Sequence, residues 1–96
     1  MTLTMAAVLS LAAQCAPAVA PDTIASIAMA ESGLNPLAIH DNTAKRTVQT
    51  DSPSDAIAVA TDLIVGRRHS VDLGLMQVNS ANLASLGLSI GTCQRL

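Results

Sequence analysis

Acidic side chains divide unevenly in this 96-residue sequence: of seven acids Glu31 is the only glutamate, and the others are Asp22, Asp41, Asp51, Asp55, Asp62 and Asp72. Ile24, Ile27, Ala28 and Glu31 recur at i, i+3, i+4 and i+7, which is one face of a helix. Glu31 is therefore expected to point inward, in a last turn where the helix dipole disfavours negative charge. Both effects favour the protonated carboxyl. A carboxylic acid that keeps its proton near neutral pH is what general acid catalysis requires. A small rotation of the helix gives the plain alternative, a solvated glutamate at a helix end. The two cysteines, Cys15 and Cys93, lie near opposite ends, with no CxxC and no Cys/His cluster at metal-ligand spacing. No metal or cofactor is expected. A bridge between them would close almost the whole chain and contribute on the order of 4 kcal/mol in an oxidising compartment. Two separate buried thiols fit the spacing equally well. His40 and His69 read as exposed loop histidines without partners, and Arg67-Arg68 as helix-end charges.

These groups need elements to hold them. Pro21 and Asp22 open a helix over residues 22–32, Gly33 caps it, and Asn35-Pro36 prevents its continuation. Residues 37–52 are polar and read as a long loop. Ser52-Pro53-Ser54-Asp55 forms a capping box for a second helix. Ile57, Ala60 and Ile64, with Ala56 and Leu63, give it an apolar face, and Gly66 stops it. Val71 to Val78 is apolar but too short to assign by period. Asn79-Ser80 caps a third short helix carrying Leu83 and Leu86, ending at Gly87. Residues 1–20 hold an apolar run from Leu3 to Ala13 and small residues up to Ala20. They read as a degraded export signal or as an N-terminal helix, and the run is too short to span a bilayer, which takes about 20 apolar residues. The expected fold is mainly α: three or more short helices around an irregular cleft segment, with little or no sheet, in one domain over residues 21–96.

Composition narrows the function. Half of the residues are apolar, 12% are charged, none is aromatic, and the net charge is −2. Mean hydropathy is +0.45 and the pI about 5.4. Intrinsic disorder does not fit such a chain. Neither does nucleic-acid binding, for want of a basic stripe or a stacking platform. Without aromatic side chains the core must be assembled from many small contacts. At this length it should be marginal unless it is cross-linked or part of a larger fold.

The segment ESGLNPLAI (Glu31 to Ile39), followed after one helix by DLGLMQVNS (Asp72 to Ser80), resembles the soluble lytic transglycosylase family. That family has a lysozyme-like α+β fold and cleaves the glycan strands of bacterial peptidoglycan. The finer resemblance is to the lytic transglycosylases of type IV secretion systems. It rests on QCAP (Gln14 to Pro17), ESGLNPLAIHDN (Glu31 to Asn42) and HSVDLGLMQVNSANLASLGL (His69 to Leu88), and so covers nearly all of residues 14–88. The resemblance implies that Glu31 is catalytic and that Ser32, paired with it in the motif, binds substrate. Gly74, Leu75, Met76 and Gln77 would form the substrate-cleft motif, with Gln77 and Asn79 as hydrogen-bond partners for N-acetyl groups. A cysteine also follows the GLMQ region in that subfamily, which implies that Cys93 is its counterpart and pairs with Cys15. The implied location is the periplasm, with peptidoglycan strands and type IV secretion subunits as partners. Neither a nucleic-acid partner nor a transmembrane span is implied. The chain departs from the family in having Leu34 and Leu37 where relatives place aromatics. It also lacks the third motif, whose tyrosine shapes the cleft on a later helix. That wall of the cleft is expected to be missing from this chain, with turnover low. The alternative is an assembly protein that keeps part of the fold and binds glycan or partner subunits without cleaving.

The implied chemistry agrees with the acid count. Ordinary glycosidases need two carboxylates, whereas Glu31 is the one acid within the Glu-Ser pair and the GLMQ motif. A lytic transglycosylase needs one, because the 6-hydroxyl of the sugar attacks the anomeric carbon intramolecularly. Asp72 is the alternative second carboxylate, and facing Glu31 across the cleft it would restore ordinary hydrolysis.

Overall fold

The computed structural model describes residues 2–85. Helix α1 (Met5–Cys15) starts where Thr4 Oγ1 accepts a bond from the Ala7 amide at 3.1 Å. Helix α2 (Pro21–Ser32) begins with Pro21 in its first turn and ends at Gly33, whose φ of 62° is the left-handed conformation open to glycine. The two helices pack through small residues, with Val8 and Ala12 of α1 and Ala25 and Ala28 of α2 all buried. That contact rotates α2 away from the face expected from its isoleucines. Alanines let the two backbones approach closely, so Ile27 is left 42% exposed and Glu31 lies in solvent rather than inward. After Gly33 the chain turns sharply through Leu34, at φ 65°. A leucine there costs about 1–2 kcal/mol. Burial of its side chain in the cluster of Val8, Ala25, Ala28 and Leu75 offsets the cost.

Residues 37–52 are not a plain loop, and the expectation of little or no sheet is corrected. Four short strands, β1 (Ile39–Asp41), β2 (Arg46–Val48), β3 (Val71–Leu73) and β4 (Val78–Asn79), form an antiparallel sheet in the order β2-β1-β3-β4. Strands of two or three residues have no readable period, which is why the sequence hid them. Ile39, Val71 and Leu73 point from the sheet onto Ala56, Ala60 and Leu63 of the second helical arm, making the larger core with Leu37 and Leu83. That arm is helix α3 (Pro53–Thr61) followed by one π-helical turn over Asp62–Gly66. Ser52 Oγ caps α3 by accepting from the Asp55 amide at 3.1 Å, and Asp55 Oδ2 in return accepts from Asp51 at 3.3 Å. Beyond Asn79 there is a single 3₁₀ turn, Ser80–Asn82, rather than a helix among the described residues; Leu86 and Gly87 lie outside them. No helix among the described residues is long and apolar enough to cross a membrane.

A buried ion anchors the sheet. Asp41, on the inward side of β1, is fully buried, and its Oδ2 lies 2.8 Å from Nδ1 of His69. Oδ1 accepts from the amides of Thr43 and Ala44, both at 3.1 Å. Burial pushes the Asp41 pKa up. The Ala44 amide, the His69 ring and the Thr43 amide together outweigh burial and hold it below the ordinary aspartate value. His69 is therefore no free loop histidine: it ties the segment after α3 to the β1–β2 turn.

Candidate functional site

A cleft of about 310 Å³ opens between the end of α2 and the outer face of the sheet. Glu31 and Ser32 form its helical side, with Asn35 beyond them. Across from them stand His40 of β1 and Thr47 of β2, with Gln49 just after β2. Gln77, from the turn joining β3 to β4, lines the cleft as well.

Each of these side chains is aimed by a local feature. Glu31 is in the last turn of α2, one residue before the serine that fastens that turn. Ser32 Oγ lies 2.7 Å from the carbonyl oxygen of Leu75 and 3.0 Å from that of Ala28. The hydroxyl has one proton to donate, and the shorter bond ties the helix end to the GLMQ turn. Gly74 opens that turn at φ 78°, and its amide donates to the carbonyl of Ala38 at 2.8 Å. Gln77 ends it at φ 52°, a left-handed conformation uncommon outside glycine. Its Nε2 donates to the carbonyls of Ala38 (3.1 Å) and Gly74 (2.9 Å). Both amide protons are thus spent within the protein, and Oε1 is the end left for a ligand that brings an N–H or O–H donor. Among the described residues no hydrogen bond or ion pair engages the Glu31 carboxyl.

The structure brings together Glu31, Ser32 and Gln77, and places other sequence candidates elsewhere. Leu75 is buried in the α1–α2 core. Met76 lines a separate apolar cleft with Val8, Leu11 and Ile24, at whose edge Cys15 is exposed. Asn79 is engaged within the sheet: Nδ2 donates to Asp72 Oδ1 (2.8 Å) and Ser70 Oγ (3.0 Å), and Oδ1 accepts from Ala81 (3.0 Å). Asp72 is half-buried on β3, outside the cleft lining, so no second carboxylate lines it with Glu31 among the described residues. Cys93 lies outside the described residues. No group of three or more His, Cys, Asp or Glu that could hold a metal ion occurs among the described residues.

Sequence reasoning missed His40 and Thr47. His40 is not in a loop but in β1, directly across from Thr47 in β2, with Nδ1 and Thr47 Oγ1 3.2 Å apart. The signal was the alternation Ile39-His40-Asp41, hidden because the second inward residue is a charged aspartate.

The family model for the transglycosylase SLT domain matches residues 9–95. Protein virB1 of Agrobacterium fabrum is 49% identical over 78 residues, covering 81% of this chain and 31% of that protein. Protein virB1 of Rhizobium radiobacter is 47% identical over 78 residues, covering 81% of this chain and 32% of that protein. The type IV secretion system protein virB1 of Brucella abortus biovar 1 is 43% identical over 79 residues, with 82% of this chain and 33% of that protein covered. The chain thus spans about a third of the length of these curated relatives. No solved structure matches it.

Proposed function

The chain belongs to the transglycosylase SLT domain family, and from that premise we propose that it is a peptidoglycan lytic transglycosylase domain with Glu31 as its one acid–base. The observation that carries the reading is an unpartnered carboxyl at the mouth of a polar cleft whose lining holds no second acid among the described residues. Glu31 is exposed at the end of α2, where a glycan strand entering the cleft meets it.

The reaction needs one carboxyl. Glu31 gives its proton to the glycosidic oxygen as the bond from that oxygen to the anomeric carbon of N-acetylmuramic acid breaks. The 6-hydroxyl of the same sugar then attacks the anomeric carbon, and its proton passes to the Glu31 carboxylate. The acid is regenerated, no water is consumed, and the new end is a 1,6-anhydro sugar. Intramolecular attack supplies the effective concentration that an activated water would otherwise have to provide. Gln77 Oε1, its amide protons already spent, suits the N–H of an acetamido group. Ser32 holds the general acid at a fixed distance from the turn that carries Gln77.

The name of the Brucella abortus relative places that protein in type IV secretion. We extend that setting to this chain, with peptidoglycan strands and secretion subunits as partners in the periplasm. An oxidising periplasm would allow Cys15, exposed at the edge of the apolar cleft, to bridge to Cys93. Non-reducing electrophoresis checks this: a faster band that disappears on reduction is expected, and two free thiols would remove the bridge. The test of the reaction is mass analysis of released muropeptides. Products lighter by one water than hydrolytic ones are expected. Reducing-end products would overturn the mechanism.

A further inference from the structure

We propose, resting on the transglycosylase reading of this cleft, that His40 is a substrate-contacting residue whose Nε2 bonds a pyranose hydroxyl of the glycan, with Thr47 as the positioning residue that holds the ring.

The backbone decides which way His40 faces. Ile39 and Asp41 on either side of it are fully buried, and a strand alternates its faces, so His40 points outward into the cleft with Glu31. Its cross-strand neighbours are Thr47 on one side and Asp72 on the other, and directly opposed residues share a face. Thr47 holds Nδ1 at 3.2 Å. Among the described residues no hydrogen bond engages Nε2. A half-buried ring, tethered at one nitrogen and unspent at the other, is a preorganised polar contact. It needs no ordering when a ligand arrives.

The ligand chemistry follows from the imidazole. When Nδ1 donates to Thr47, Nε2 is an acceptor; when Nδ1 accepts from the Thr47 hydroxyl, Nε2 carries the proton. A sugar hydroxyl both donates and accepts, so it suits either tautomer. His69 supplies the contrast within the same chain. Its Nδ1 is bound to the buried Asp41, and it lies away from the cleft.

The test uses the full chain carrying Glu31→Gln, which retains the cleft without the acid, and the soluble N-acetylglucosamine tetramer as probe. Adding the tetramer should shift the ring resonances of His40 and leave those of His69 in place. In the same background His40→Ala should weaken binding about five- to tenfold, the scale of one neutral hydrogen bond. His40→Gln should recover most of that loss, and Thr47→Val should cost about two- to threefold by freeing the ring. An unmoved His40 resonance, or His40→Ala binding like its parent, overturns the contact. Parent protein that does not bind the tetramer overturns the contact and the glycan reading of the cleft together. Binding with the expected His40 shift, but no glycan cleavage by the chain carrying Glu31, overturns only the reaction.

Discussion

Two acid–histidine neighbourhoods lie on opposite faces of one strand, and they are built in opposite ways. On the inner face Asp41 is fully buried and every near donor is committed to it: two backbone amides and the His69 ring. On the outer face Glu31 and His40 line an open cleft. There the carboxyl has no partner among the described residues, and the ring uses one nitrogen. A buried charge must be satisfied or it unfolds the protein. An exposed one is free to wait for a ligand. Adjacent positions in β1 thus serve architecture and chemistry, divided by the alternation of the strand alone.

The largest expected effects separate the two neighbourhoods. Glu31→Gln should lower glycan cleavage by about 10²–10⁴-fold, the range for loss of a general acid. Its melting temperature should stay within about 3 °C of the parent, because the side chain lost is exposed and has no partner among the described residues. His69→Ala should do the reverse and melt well below the parent, since Asp41 keeps a buried charge without its ring partner. Zymography and thermal melts of both variants check the pair. A Glu31→Gln variant that melts as low as His69→Ala would erase the distinction.

A pH series sharpens the inner face. The folded Asp41 carboxyl titrates below its ordinary value. Its contribution to stability is therefore present above the unfolded value of about 3.9 and is lost as pH falls through the lower folded value. The parent's melting temperature should drop over that acid window, and Asp41→Asn should remove part of the drop. Parallel curves for the two proteins would mean that Asp41 does not carry the acid sensitivity.

What could be read in the sequence follows the same division. Gly33, Pro21 and the Ser52–Asp55 cap announced their helix ends, because caps are local chemistry. The Glu31 and GLMQ motifs pointed to two side chains, Glu31 and Gln77, that the fold brings into one cleft. The sheet was hidden, since strands of two or three residues carry no period and the inward partner of Ile39 is an aspartate. The rotation of α2 was hidden too. Ile27 is a larger apolar residue than Ala25 or Ala28, yet the alanines are buried and Ile27 is exposed, a choice set by how closely two helices approach and not by either sequence alone. Asn79 has a structural part that its motif does not announce: its amide bonds Asp72, Ser70 and Ala81.

A smaller effect is expected at the seam between the neighbourhoods. Ser32→Ala removes the 2.7 Å bond to the Leu75 carbonyl. One such bond contributes about 1 kcal/mol, and its loss leaves Glu31 less firmly placed against the GLMQ turn. Cleavage should fall several-fold with KM little changed, because the acid is misplaced while the opposite wall is intact. A change confined to KM would assign Ser32 to binding instead.

The smallest effect is expected at Asp72, and it decides how far the chemistry extends across the sheet. Asp72 shares the outer face with His40, its cross-strand partner in β1, yet stands outside the cleft lining. Its Oδ1 accepts from Asn79 Nδ2 at 2.8 Å. Asp72→Asn keeps a carbonyl oxygen for that bond, removes the charge and turns the second oxygen into an amide donor. If Glu31 alone moves protons, the substitution should change product release by no more than about threefold, less than the loss of one charged hydrogen bond. The ends should remain anhydro. Were Asp72 a second catalytic carboxylate, the same substitution would be as damaging as Glu31→Gln, and the parent would release reducing ends, as two-acid hydrolysis requires. Mass analysis of the products from the parent and this one variant separates the two mechanisms, because the variant lacks the carboxylate that two-acid hydrolysis needs.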